Sequence, residues 1–238
     1  MPSPYNIDVH YSCLDCEGRK VHPFCNLGRP AAEAMEKIKF TSVYPRGALL
    51  FVEEEQPRGV FILCSGRVKL TTSSSEGKKL ILKIVQPGEV LGLSSAILGK
   101  TYEVSAETIE PCQVNFIKRT DFLQFLNEHT EACFHTAEQL SAKYQMAQRE
   151  IRSLGLSAST GEKLAKLFLD WCEGQPTEGT TVRLKVVLTH EEIAQMLGTT
   201  RETITRLLSD LKKKKIIDVK GSTVLVTDIA KLENMVTI

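Results

Sequence analysis

The sequence has few of the features that mark membrane, secreted or fibrous proteins. Its 238 residues include one Trp and no apolar run near the ~18 residues that a membrane span needs. The first twenty residues lack the apolar segment of a secretory signal. We therefore expect a cytoplasmic protein with no membrane partner. The net charge is only +1, so any attraction to nucleic acid must come from how the charges are arranged.

Familiar catalytic signatures are also missing. The sequence contains no P-loop, no G-x-G-x-x-G, no G-x-S-x-G and no H-E-x-x-H, which carry phosphate, dinucleotide, acyl-transfer and zinc-protease chemistry. We therefore predict that the chain is not an enzyme. A regulatory subunit of an enzyme is the alternative from that class, and such a subunit would not bind duplex DNA in a salt-dependent way.

What is present begins with a β-rich region. From Phe40 to Phe116, short runs of β-favouring residues are separated by glycines, as in small antiparallel barrels and sandwiches. A short helix, Pro30–Lys39, is predicted before them. The predicted strands are Ala48–Val52, Gly59–Cys64, Val68–Thr72, Lys79–Val85 and Gln113–Ile117.

A heptad pattern follows the β-rich region. From Cys133 to Leu154, apolar or small residues recur at alternating spacings of 4 and 3. Such spacing favours a dimer helix over a helix packed only on its own barrel. No seam residue is charged, so we expect the dimer to persist whatever the state of the sensor. The predicted seam consists of Ala137, Leu140, Tyr144, Ala147, Ile151 and Leu154.

A helix-turn-helix pattern lies towards the C-terminal end. Thr189 and Glu192 have capping-box spacing, the helix that they start stops at Gly198, and Thr200 opens a second helix. The N-terminal end of such a second helix meets base edges in the major groove. The predicted DNA contacts are Thr200, Arg201, Glu202, Thr205 and Arg206.

Positive charge gathers in and after this second helix. Between Arg201 and Gly221, seven Lys and Arg residues against three Asp and Glu residues give a local charge of +4. The runs Ile216–Val219 and Thr223–Val226 are typical of a hairpin wing. A lysine run alone is more often a solvated helix end, but with the helix-turn-helix and the wing it predicts binding to double-stranded DNA.

The stretch from Leu188 to Arg206, LTHEEIAQMLGTTRETITR, closely resembles the DNA-reading element of the CRP/FNR family of bacterial transcription regulators. The order of parts is similar along essentially the whole chain. The resemblance implies an α+β fold with a Cys-rich segment (1–29), a cyclic-nucleotide-binding-like antiparallel β-barrel (30–128), a long dimerisation helix (129–157) and a winged helix-turn-helix domain (158–238).

The same resemblance implies a homodimer that binds a two-fold symmetric DNA site, with RNA polymerase as a candidate further partner. By match to the family's motif, Arg201, Glu202 and Arg206 would contact bases, and Thr205 would be a further discriminator. The stretch is similar to both the CRP and the FNR branches, so the half-site stays open.

Family members that bind cyclic nucleotides carry Gly-Glu followed by Arg-Ser or Arg-Thr at the phosphate. This sequence has Gly88-Glu89, but Lys100-Thr101 stands in the place of the arginine pair. Lysine is a point charge rather than a planar fork, so we do not expect a cyclic nucleotide. These four residues are the candidate pocket of an alternative function, a regulator that responds to a cyclic nucleotide or another small ligand.

Three of the seven cysteines, Cys13, Cys16 and Cys25, lie within thirteen residues, and Cys112 lies far along the chain. This set is similar to the FNR branch, where three N-terminal cysteines and one on the barrel hold a [4Fe–4S] cluster. The spacing of eight residues between Cys16 and Cys25 is longer than the familiar one. The resemblance implies these four as iron ligands, and oxygen, nitric oxide or redox state as the signal.

Two other interpretations of the cysteines stay open. Cys13, Cys16, His22 and Cys25 match a Cys3His zinc site. Alternatively, the segment binds no metal and is a thiol switch or has no sensory role. The remaining cysteines, which lie within apolar patterns and are predicted to be packed core thiols, are Cys64, Cys133 and Cys172.

Overall fold

The computed structural model describes residues 5, 7–155, 159–173, 175–178, 181–220 and 223–236. The chain forms two compact units, Met1–Ala147 and Gln148–Ile238. Among the described residues, no helix combines the length and apolarity that crossing a membrane requires.

The helices and strands follow one another along both units. The helices are α1 (Arg29–Ile38), α2 (Leu93–Leu98), α3 (Arg119–Glu128), α4 (Thr130–Gly155), α5 (Thr160–Cys172), α6 (His190–Leu197), α7 (Arg201–Lys213) and α8 (Ile229–Glu233). The strands are β1 (Lys39–Tyr44), β2 (Leu49–Phe51), β3 (Gly59–Ser65), β4 (Val68–Ser73), β5 (Lys79–Val85), β6 (Val90–Leu91), β7 (Ser105–Thr108), β8 (Cys112–Lys118), β9 (Thr177–Glu178), β10 (Thr181–Lys185), β11 (Ile217–Lys220) and β12 (Thr223–Val226).

Two four-stranded antiparallel sheets form the body of the first unit. Their strand orders are β1-β8-β3-β6 and β2-β7-β4-β5, and both contribute to an apolar core that contains Phe51, Phe61, Leu63 and Val114. The predicted antiparallel β domain is confirmed, although two facing sheets take the place of a closed barrel. The strand β6 is only two residues long because the chain turns into α2 at Gly92, where φ is +73°.

A second core covers the outer face of the β1-β8-β3-β6 sheet. Phe24 and Leu27 from the N-terminal segment and Phe122 from α3 pack there against Val60 and Ile62 of β3. The residues between and beyond them on the strand, Phe61 and Leu63, belong to the core between the sheets, as the alternation of side chains along a strand requires. The cysteine-rich segment therefore lies on the outer face of this sheet.

The second unit packs α5 to α8 with the sheet β11-β12-β10-β9. The predicted capping pair of Thr189 and Glu192 starts α6, and Ser159 with Glu162 forms a second capping box at the start of α5. The strands β11 and β12 pair as the predicted wing, although Gly221, in the predicted wing turn, lies outside the described residues. The fold class, an α+β chain that ends in a winged helix-turn-helix, is confirmed.

Candidate functional site

The second helix of the helix-turn-helix, α7, presents one buried and one exposed face. Ile204, Leu208 and Leu211 are buried in the core of the second unit, whereas the opposite face borders a shallow open groove. The turn before α7 begins at Gly198, whose φ of +63° is in the left-handed region that glycine adopts without strain. The residues that line the groove are Arg201, Glu202, Thr205, Arg206, Ser209, Asp210 and Lys213.

Four of the five predicted DNA contacts line this groove, and Thr200 does not. The hydroxyl of Thr200 accepts a hydrogen bond from Thr203 N at 3.3 Å, so it caps the start of α7. Thr205 also has its hydroxyl engaged, because Oγ1 donates to Arg201 O at 2.9 Å and lies 3.0 Å from Nδ1 of His190. The methyl group of Thr205 is the part of this side chain that takes no part in these hydrogen bonds.

One lysine of the predicted basic run is paired within the domain. Lys212 Nζ lies 3.2 Å from Asp218 Oδ1 on β11, so the end of α7 is joined to the wing. Lys213 lines the groove. Within the predicted basic run, Lys212 is therefore paired with an acid of the same unit, whereas Lys213 faces the groove.

Three residues of the predicted dimer seam are exposed on α4, and a fourth packs inward. Ala132 and Thr136 are almost completely buried against the first unit, whereas Ala137 and Ala147 are exposed and the side chain of Tyr144 is 65% exposed. Leu140 is partly buried and packs against the core on the outer sheet face. The side chains of Ile151 and Leu154 lie outside the described residues.

The N-terminal cysteine segment is bound to strand β8 by two polar side chains. Gln113 donates from Nε2 to His10 O at 2.6 Å and accepts from His10 N at 2.9 Å. Asn115 Nδ2 lies 3.5 Å from Cys13 Sγ. Gln113 and Asn115 are both buried and are two residues apart, so they occupy the same face of β8.

The three N-terminal cysteines are brought together on this face. Cys13 and Cys25 pack against the outer core, and burial raises the pKa of Cys25 to about 12, with further contributions from charge on Cys13 and Cys16. Burial also raises the pKa of Cys13 to about 11, and the charge of Lys39 opposes that change. The side chain of Lys39 is 4% exposed, and its Nζ lies 3.3 Å from a Glu36 carboxylate oxygen, so a buried ion pair accompanies the thiols.

Cys112, the predicted fourth ligand, is not with the other three. It precedes Gln113 and so points to the opposite face of β8, into the core between the sheets. Its thiol donates to Arg67 O at 3.3 Å and to Glu110 O at 3.2 Å. Neighbouring residues of a β-strand point to opposite faces of the sheet, and the position of Cys112 in the sequence did not show which face this residue would occupy.

Cys64 on β3 lies nearer to the N-terminal group, although it was predicted to be a core thiol. It follows Val60 and Ile62 on the outer face, and charge on Cys13, Cys25 and Cys16 contributes to its pKa, which burial raises to about 12. The same prediction fails for Cys133, which is exposed, while Cys172 is half-buried. The sequence did carry a sign of this position, because Cys64 continues the alternation of Val60 and Ile62 on the outer face of the sheet.

The zinc alternative requires His22 to join the cysteines. The ring of His22 is seated on Gly88, such that a Cβ placed on this glycine would lie 2.3 Å from His22 Cγ. Within the described ranges, no three His, Cys, Asp or Glu side chains are arranged to hold one metal ion. Four ligands of a single Zn²⁺ lie within about 4 Å of one another, whereas the four thiolates of a [4Fe–4S] cluster bind four separate irons and are farther apart.

The residues of the candidate ligand pocket are engaged separately. Glu89 forms an ion pair with Lys83 and accepts from Gln86 N at 2.9 Å. Lys100 and Thr101 are exposed, and among the described residues no hydrogen bond or ion pair joins either of them to Glu89. The aromatic rings of Phe51 and Tyr102 stack at 4.1 Å inside the core between the sheets.

Comparison with known proteins gives matches to both units. Residues 41–129 match the cyclic nucleotide-binding domain family, and residues 162–235 match the Crp-like helix-turn-helix domain family. The transcriptional activatory protein AadR of Rhodopseudomonas palustris is 26% identical over 228 residues, which cover 92% of this chain and 94% of AadR.

Two further proteins extend the comparison. A CRP-like cAMP-activated global transcriptional regulator of Mycobacterium tuberculosis is 27% identical over 190 residues, with coverage of 79% of this chain and 84% of that protein. The solved structure of FixK2 from Bradyrhizobium japonicum has a TM-score of 0.75 at 21% identity and covers 84% of this chain and 98% of FixK2. The last of these comparisons concerns the fold alone.

Proposed function

Because the chain is a member of the CRP/FNR family of transcription regulators, we propose that it is a homodimeric, cytoplasmic regulator that senses oxygen, nitric oxide or redox state through a [4Fe–4S] cluster. The observation that carries this proposal is the grouping of Cys13, Cys16 and Cys25 on the outer face of the first unit, beside the start of α4. The cysteine segment would sense the signal, and α7 would bind DNA.

DNA recognition rests on the groove face of α7. Arg201 and Arg206 offer planar forks that fit the O6 and N7 acceptors of guanine, and Glu202 can accept from the amino group of cytosine. The hydroxyl of Thr205 is engaged, so this residue would contact a thymine through its methyl group. Two copies joined along α4 would present two such helices to a two-fold symmetric site.

The donor set fits an iron–sulfur cluster. Thiolates are the ligands that such clusters require, and buried thiols with raised pKa values remain protonated until bound cations displace their protons. Lys39 and the amide of Asn115 supply a positive charge and a hydrogen-bond donor beside the thiols. When bound, the cluster supplies a centre that reacts with oxygen and nitric oxide.

The N-terminal segment is joined to α4 by direct contacts. Gly28 N donates to Glu131 Oε2 at 2.8 Å. Further along the helix, Gln139 donates to Gly88 O at 3.2 Å, and Gly88 is also the residue on which the ring of His22 rests. Release of the cysteine segment would therefore remove contacts from the inward face of α4, while the exposed seam residues Ala137, Tyr144 and Ala147 stay available for the dimer.

The decisive experiment is an absorption spectrum of anaerobically purified protein, with iron, sulfide and zinc assayed on the same sample. We expect a broad visible band, about four irons per chain, and duplex binding that changes more than tenfold when air or nitric oxide bleaches the band. Cys172→Ser is the matched control, because Cys172 lies on α5 in the second unit. One zinc per chain and no colour would refute the proposal.

A second candidate function is a response to a cyclic nucleotide. It is favoured by the match of residues 41–129 to the cyclic nucleotide-binding domain family and by the cAMP-activated relative. Calorimetric titration with cAMP and cGMP tests it directly. Binding below about 100 μM, abolished by Glu89→Ala, would support this function, whereas no heat is expected if the cluster is the sensor.

A further inference from the structure

We propose that Cys64, and not Cys112, is the fourth thiolate of the metal centre, completing a set with Cys13, Cys16 and Cys25. This inference rests on the proposed cluster and specifies its ligands. It comes from the geometry of the β3 and β8 strands, which separates the two cysteines on opposite faces of one sheet.

The strand β8 establishes which face the N-terminal segment covers. Gln113 bonds to the backbone of His10, and Asn115 contacts Cys13 Sγ at 3.5 Å. Cys112 lies one residue before Gln113 and packs between the sheets. For its sulfur to reach the segment, β8 would have to rotate and carry Val114 and Phe116 out of the core between the sheets.

The strand β3 presents Cys64 on the covered face. Ile62 is paired with Asn115, and both lie under the N-terminal segment. The register between β3 and β8 shifts between Leu63 and Ser65, since Leu63 pairs with Val114 and Ser65 pairs with Gln113. Cys64 is therefore the extra residue of a β-bulge, a device that re-aims a side chain beside functional sites.

The surroundings of Cys64 are those of a ligand more than of a core residue. Ile62, two residues before Cys64, pairs with Asn115, whose Nδ2 lies 3.5 Å from Cys13 Sγ, so Cys64 lies on the face of the sheet that Cys13 covers. Burial raises the pKa of Cys64, and charge on Cys13, Cys25 and Cys16 raises it further. Four buried thiolates repel one another, and bound cations remove that repulsion. By contrast, the pKa of Cys112 is raised by burial and by Glu110, and it has no such contribution from the N-terminal thiols.

The test compares iron uptake by Cys64→Ser and Cys112→Ser after anaerobic reconstitution with ferrous iron and sulfide. We expect about four irons per chain in the wild type, the same content in Cys112→Ser and in the Cys172→Ser control, and at least a fourfold loss in Cys64→Ser. Circular dichroism and a Cys64→Ala variant separate loss of a ligand from loss of the fold.

Disulfide trapping of the metal-free wild type gives a second readout. Diamide takes two electrons and two protons from a pair of neighbouring thiols, and peptide mass spectrometry identifies the pairs. We expect Cys64 to be joined to Cys13 or Cys25, and Cys112 to stay reduced. A link between Cys112 and the N-terminal cysteines would overturn the assignment.

The outcomes distinguish this inference from the function on which it rests. Full iron content in Cys64→Ser, with loss in Cys112→Ser, overturns the assignment and leaves the cluster intact. A wild type that takes up no iron overturns the proposed function, and with it the metal role of Cys64. Trapping of Cys64 in that case would show that the four thiols are grouped for another purpose.

Discussion

Replacement of Gly88 by alanine tests whether the cysteine segment is seated on the sheet as described. Gly88 has a φ of +88°, and an added Cβ would lie 2.3 Å from His22 Cγ and 2.4 Å from His22 Cβ. These atoms are close to the backbone of the segment, so a change of side-chain rotamer cannot relieve the clash. The segment itself would have to move.

Gly77→Ala is the matched control. Gly77 has a similar φ of +80°, but nothing lies within 4 Å of its added Cβ. We expect Gly77→Ala to cost about 1–2 kcal/mol of unfolding free energy, from backbone strain alone. Gly88→Ala should cost that amount and about 1–3 kcal/mol more for the overlap with His22.

The assay is urea unfolding of both variants in metal-free protein, followed by limited proteolysis of the segment. In the double variant, His22→Gly should recover most of the additional loss relative to His22→Gly alone, because it removes both His22 Cβ and the ring. Equal destabilisation in Gly88→Ala and Gly77→Ala would refute the placement of His22 and the route by which the segment contacts α4.

Three further predictions concern the DNA interface, a buried lysine and the dimer seam. Arg206→Ala should weaken binding to the specific site by about 1–3 kcal/mol and reduce discrimination at one base position. Lys213→Gln should weaken binding to all DNA sequences and reduce the slope of log binding constant against log salt concentration by about 1. Fluorescence anisotropy titrations at several salt concentrations test both, and a loss of base discrimination in Lys213→Gln with none in Arg206→Ala would contradict the assignment. Burial and the charge of Lys83 lower the pKa of Lys143. The unfolding free energy of the wild type should therefore rise relative to that of Lys143→Met as pH increases from about 7 to about 10. A relative fall over this range, measured by urea unfolding, would refute the reasoning. Tyr144→Glu should weaken the dimer roughly 100-fold or more through like charges on the seam, while Tyr144→Phe should not; sedimentation of both variants decides.

Local signals in the sequence were enough to predict much of the second unit. The capping-box spacing of Thr189 and Glu192 predicted the start of α6, which begins at His190 with both capping hydrogen bonds present. Gly198 predicted the end of α6, because its left-handed backbone conformation is one that glycine adopts readily. Such features depend on neighbours in the chain and can be identified without the fold.

Elements held by distant contacts were not predicted. The strands β6 and β7 have two and four residues, too few for an alternating pattern to be distinguished from a turn. Their conformation comes from pairing with β3 and β4. The contact between His190 and Thr205 was missed for a related reason, because it joins two helices whose packing the sequence implies only in outline.

The four cysteines show where sequence position and spatial position diverge. Cys112 was assigned from its place along the chain, which sets its strand but does not by itself set which face of the sheet it occupies. The face was recoverable for β3, where Val60, Ile62 and Cys64 alternate with Phe61 and Leu63, but the bulge after Leu63 interrupts that alternation at the residue that matters. Hydrogen bonds from Gln113 and Asn115 to the N-terminal segment settle the face of β8. Three clustered cysteines are therefore enough to single out the N-terminal segment from the sequence, whereas the cysteine of the sheet that lies under this segment depends on strand register.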